Sequence, residues 1–218
     1  VERVLANLAR RPVRAMAVAA LLPLAIRLLW LPIYPIPEPL MHDEFGHLLI
    51  GDTFASGRLA NPAHPMREHF ETVYVLQEPS YASYYPVGQG ALLGLTQLAR
   101  LNPWFAIWAS VGLMCGALFW MLAGWLPPRW ALVGAQMAGM RFGILCHWMN
   151  SFWGGALAAV GGALVFGSLP RVYRGLGVRY AALMGLGLAI LLQTRPYEGA
   201  LLSIPVALAL GVWLLRTK

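Results

Sequence analysis

Cysteine is nearly missing from this chain: only Cys115 and Cys146 occur in 218 residues. Both sit inside apolar segments, which leaves no disulfide framework and no cysteine-rich metal site. Charge is also scarce, at 11% of residues against roughly 25% in ordinary soluble domains. With 59% hydrophobic residues and a mean hydropathy of +0.61, a soluble globular domain is excluded. Acids are the rarest group, nine against sixteen Lys and Arg, for a net charge of +7. The excess is spread over many loops and forms no dense basic face, so nucleic acid is not the implied partner. No internal repeat is visible. Between positions 101 and 128 there is no charged residue at all.

Long apolar runs are what the chain has instead. Arg3, Arg10, Arg11 and Arg14 precede an apolar segment over 15–34. That run is too long for a signal peptide, and Pro35-Ile36-Pro37 offers no small-residue cleavage site. It predicts a retained first transmembrane helix with a cytoplasmic N-terminus. Further apolar segments over 101–128, 130–148, 153–169, 180–193 and 200–215 bring the expected total to about six spans. Under that topology ten basic residues fall on the inner side and four, Arg58, Arg67, Arg100 and Arg195, on the outer side, as the positive-inside rule requires. Tryptophans fall at both expected interfaces. The expected fold is therefore an all-α polytopic membrane protein, a single transmembrane domain over 1–218. Within it, 35–100 forms a long first outer loop carrying juxtamembrane helices, and 101–218 supplies the remaining bundle. The expected location is the plasma (inner) membrane with that loop on the outer or periplasmic side. Gly112/Gly116, Gly139/Gly143 and Gly154-Gly155/Gly161-Gly162 are expected at close helix crossings.

The outer loop opens on Met41-His42-Asp43-Glu44-Phe45-Gly46-His47. A short helix over 40–56 is expected there, with Phe45, Leu48 and Leu49 on its apolar side and Gly57 as its stop. Asp43 and Glu44 then fall in the first turn, where exposed N–H groups favour negative charge, and His47 shares their surface. Such a carboxylate can serve as general base on a hydroxyl, whereas the plainer reading is a solvated capping pair. His42 and His47 with Asp43 offer an alternative divalent metal site, although the spacing is not the His-Glu-x-x-His of zinc proteases. Arg27 and Arg141 are cations inside expected spans, which are costly there unless they face a cavity or a partner. They either snorkel to the outer headgroups or converge with Arg195 on a phosphate, which a guanidinium grips with two hydrogen bonds. His47, Tyr81, Tyr85, Asn150 and Glu198 are candidates for contacting substrate, Glu198 also being placed to pair with Arg195.

An acidic pair just after the first span, opening a long outer loop, resembles the membrane glycosyltransferases of the C superfamily. The likeness is to the dolichyl-phosphate-mannose protein mannosyltransferases (family 39) and the related bacterial lipid A aminoarabinose transferases. The mannosyltransferases carry Asp-Glu followed closely by His-Phe-Gly; Asp43-Glu44-Phe45-Gly46-His47 holds the same residue types in altered order. The stretches Glu78-Pro79-Ser80-Tyr81-Ala82-Ser83-Tyr84-Tyr85-Pro86 and Thr194-Arg195-Pro196-Tyr197-Glu198-Gly199 also look like bacterial members. The resemblance implies inverting transfer of a sugar from a polyprenyl-phosphate donor to a hydroxyl of a protein, lipid or glycan acceptor on the outer face. Asp43 would be the base and Glu44 its partner. Family enzymes are longer, so the chain is expected to be a fragment or a reduced form. Two rivals compete: a membrane metal hydrolase using His42, Asp43 and His47, and a transporter or assembly subunit whose arginines line an anion path. Polar residues concentrated in one outer loop, away from the midplane where transport sites lie, count against the second.

Overall fold

A computed structural model describes residues 7–69, 71–144 and 146–216. Helices dominate. α1 (Pro12–Leu29) starts on a proline, which lacks the N–H that a first turn leaves unbonded. α2 (His42–Ala55) and α3 (Val87–Leu98) follow within the polar stretch, separated by a small hairpin of β1 (Val75–Leu76) and β2 (Ala82–Ser83). α4 (Trp104–Trp125), α5 (Pro128–Gly143), the four-residue α6 (His147–Asn150), α7 (Ala156–Tyr173), α8 (Val178–Thr194) and α9 (Pro196–Arg216) complete the chain. Among the described residues α1, α4, α7 and α9 are long and apolar enough to cross a membrane, which makes a bilayer the chain's environment. α8 is apolar but shorter, and α5, carrying Arg129 and Arg141, falls outside that group.

The bundle is held by close crossings. Ala15, Ala19, Pro23, Leu24 and Arg27 form the buried stripe of α1, spaced at helical period. They meet glycines on two neighbours: Gly112 and Gly116 of α4 lie under Leu24 and Ala20, and Gly139 and Gly143 of α5 lie under Pro23. Gly161 of α7 meets Gly187 of α8 backbone to backbone, while Gly162 faces only the far end of the Leu202 side chain on α9. Two of the three expected small-residue sets thus sit at crossings as pairs, and the third contributes Gly161 alone.

One end of the bundle is basic. Arg171 donates to the carbonyl of Trp120 at 2.8 Å and Arg174 to that of Gly124 at 3.2 Å, tying the end of α7 to the end of α4. The opposite end carries the polar elements. There α2 crosses α3 so closely that a Cβ on Gly90 would collide with Ile50. The loop after α2 folds back through a backbone bridge between Asn61 and Tyr81, and Asn61 Nδ2 donates to Thr53 Oγ1 at 2.7 Å.

The buried side of α2 corrects one expectation. Phe45 is exposed, and the inward face is Glu44, His47, Ile50 and Thr53. Glu44 and Thr53 turn inward because they have hydrogen-bond partners there, and the Phe45 ring is left outside.

Candidate functional site

Three helices begin at the same cleft. Its volume is about 240 Å³, and Pro86 at the start of α3, Gly155 at the start of α7 and Pro196 at the start of α9 all line it. Neither α3 nor α7 has a side-chain cap, so their first N–H groups are left to water or a ligand. Each helix brings roughly half a positive charge to its amino end. Gly154 and Gly155 make this approach feasible. Their φ angles are +87° and +132°, and a Cβ on Gly154 would lie 2.8 Å from the Gln89 side chain.

Arg195, between α8 and α9, adds a full charge to the same wall. Its Nη1 lies 3.4 Å from Glu198 Oε1, and both side chains are largely exposed, so the pair is weak and leaves the guanidinium available. His47, Tyr85 and the buried Gln89 line the cleft as well. His47 is only 6% exposed, its ring lies 4.7 Å from that of Tyr85, and its Nδ1 has no hydrogen-bond partner. Burial pushes the imidazole down to about 4, with Asp43 opposing and Arg195 reinforcing that shift, so it is neutral at physiological pH. Tyr85 is pushed above its ordinary range, first by burial and then by its hydrogen bond to Asp43. It therefore remains a donor, and its hydroxyl donates to Asp43 Oδ1. Asp43, expected as the base, is half-buried and is not in the cleft wall; it reaches the cleft through the Tyr85 hydroxyl, and its Oδ2 receives no hydrogen bond from any described residue.

The remaining candidates divide sharply. Glu44, expected as the catalytic partner, is a strut. Oε1 accepts from the N–H of Leu40 (3.3 Å) and Met41 (3.2 Å), and Oε2 from the N–H of Phe152 (2.8 Å). Arg27, expected at the phosphate, is sealed at 0% exposure. Its Nε donates to Asn150 Oδ1 at 2.9 Å, and Nη1 and Nη2 donate to the carbonyls of Tyr34 and Pro35 at 2.8 and 3.0 Å. The rings of Tyr34 and Trp104 lie 5.3 and 5.0 Å from its guanidinium carbon. A buried cation needs such partners, and no ligand reaches it. Asn150, expected to bind a sugar, is the other half of that clamp and also donates to Ile144 and Cys146 carbonyls. Arg141 is exposed against the Phe142 ring and is not in the cleft wall. Tyr81 acts through its backbone bridge to Asn61 and is not in the wall either.

His42 is exposed whereas His47 is buried, because five helical positions turn them to different sides. Among the described residues no three His, Cys, Asp or Glu side chains gather as a metal site. Trp153 and Gln89 also line the cleft, Gln89 without having been singled out. The signal for Gln89 was a polar residue between Gly88 and Gly90, glycines that bring a helix close to its neighbours. No family model, no curated protein and no solved structure matches the chain.

Proposed function

We propose that the protein is a glycosyltransferase that moves a sugar from a polyprenyl-phosphate donor to an acceptor hydroxyl at the outer face of a membrane, with inversion. The observation that carries this reading is one cleft that gathers three helix amino ends, Arg195, a neutral imidazole and Tyr85, whose hydroxyl is bonded to Asp43 just outside the wall. The cleft lies at the end of an apolar bundle, so the polyprenyl tail extends along the helices while its phosphate reaches the cleft. In this reading α5 and α8 also cross. At 1.5 Å per residue their 16 and 17 residues extend about 24 and 26 Å, near the hydrocarbon thickness once the flanking turns are included. The arginine-rich end then faces the cytoplasm.

Chemically, the acceptor oxygen forms a bond to the anomeric carbon as the bond from that carbon to the phosphate oxygen breaks. The electron pair leaves with the phosphate, where charge accumulates. Fixed N–H dipoles and Arg195 stabilise that charge without reorganising. The hydroxyl proton passes to Asp43 Oδ2, while Tyr85 holds the other oxygen and sets the carboxylate's orientation. The test is Asp43→Asn in the full-length protein, assayed with polyprenyl-phosphate sugars. Loss of the base lowers turnover at least about a hundredfold. Turnover at the unsubstituted level removes Asp43 from the mechanism and this reading with it.

A further inference from the structure

Trp153 belongs to two clefts. One is the phosphate cleft described above; the other, about 640 Å³, lies beside it and is bounded by Tyr34, Glu38, Met41, His147 and the Asn150–Ser151 corner. Two buried charged side chains, Arg27 and Glu44, are both committed to shaping this second space. Arg27 fixes the Tyr34 and Pro35 carbonyls against Asn150. Glu44 fixes the Leu40 and Met41 amides against Phe152. Desolvating a charge is costly, and here both charges brace opposite walls of one cavity, so its shape is set before any ligand arrives.

The groups left facing that cavity define its occupant. Tyr34 and Trp153 present ring surface, being 54% and 41% exposed. Beside them stand the exposed carboxylate of Glu38 and the exposed imidazole of His147. Among the described residues no lysine or arginine lines the cavity, so an anionic ligand meets repulsion from Glu38 and from the buried Glu44. An acyl chain displaces water from the carboxylate and the imidazole and offers neither a hydrogen bond in return. A pyranose satisfies both kinds of surface: its C–H face lies on an aromatic ring, and its hydroxyls donate to a carboxylate in charge-assisted hydrogen bonds.

We infer that this second cleft binds a neutral glycan, whose hydroxyl is the acceptor for the sugar delivered next door. The word acceptor rests on the transfer reading; the binding of a glycan does not. Trp153, shared by both clefts, is then the wall across which the reacting partners meet.

The experiment uses the full chain in lipid nanodiscs without donor. Mannotriose, maltotriose and chitotriose are titrated while saturation transfer to their ring protons is followed by NMR. At least one trisaccharide binds, and Trp153→Ala and Glu38→Gln each weaken its Kd about tenfold. Glu38 is exposed, so its substitution leaves the fold intact; melting curves check both variants. Failure of all three sugars, or binding indifferent to both substitutions, overturns the assignment. So does a lysolipid whose binding depends on Trp153 while the sugars do not bind. Sugar binding with no turnover of any donor retains the glycan cleft and sinks the transfer reading. Transfer to a protein or lipid hydroxyl with no sugar binding does the reverse.

Discussion

A buried charge near a membrane boundary invites a functional reading, and at Arg27 and Glu44 that reading fails for a reason no local pattern contains. Arg27 finds Asn150 across 123 residues, and Glu44 finds Phe152 across 108. Sequence marks such residues as anomalous; only the fold supplies their partners. Arg195 and Asp43 differ because each keeps an uncommitted group, Arg195 in the cleft wall and Asp43 one hydrogen bond behind it through Tyr85. His47 carries the clearest prediction at this scale. Burial holds its imidazole near 4 in place of the ordinary 6.5, so between those values the unfolded chain takes up a proton that the folded chain refuses. Stability is therefore flat above pH 6.5 and falls as pH drops toward 4, by on the order of 3 kcal/mol at most. Melting temperatures measured across that range in detergent show the decline, and His47→Gln, which cannot titrate, reduces it.

Elements were legible where a single segment carries its own signal. The apolar runs of α1, α4, α7 and α9 announce themselves, and four-residue glycine spacings mark the crossings under α1. The start of α2 was legible from its acidic first turn, but its inward face was not, because Phe45 competes for that role and loses to a polar network supplied by other elements. The α2–α3 crossing was also hidden, since its glycines lie on two helices separated by a long loop. That crossing yields a paired prediction. Gly90→Ala drives a methyl into Ile50, separates α2 from α3 and costs about 1–3 kcal/mol, with transfer falling as Tyr85 and Asp43 lose register. Gly185→Ala on α8 meets nothing within 4 Å and leaves stability unchanged or raised by up to about 1 kcal/mol. Thermal unfolding of the two variants side by side gives opposite signs.

At the scale of the whole molecule the two ends are chemically unlike, and the positive-inside pattern that distinguishes them was present in the sequence from the start. Convergence of the cleft was not, because Pro86, Gly155 and Pro196 come from three distant places in the chain. Under the proposed six-span passage, Leu59, 90% exposed, and Val178, 85% exposed, lie on opposite faces of the membrane. In a background lacking Cys115 and Cys146, Leu59→Cys reacts with an impermeant maleimide on intact cells, and Val178→Cys reacts only after permeabilisation. Labelling of both from one side rejects the topology. The meeting of three helix starts also bears on how this protein can change over time. Backbone dipoles have no codon of their own, so the attraction for a negative headgroup survives the replacement of any one side chain around it. Drift can alter the side chains that line the cleft while its preference for negative charge stays written into the course of the main chain.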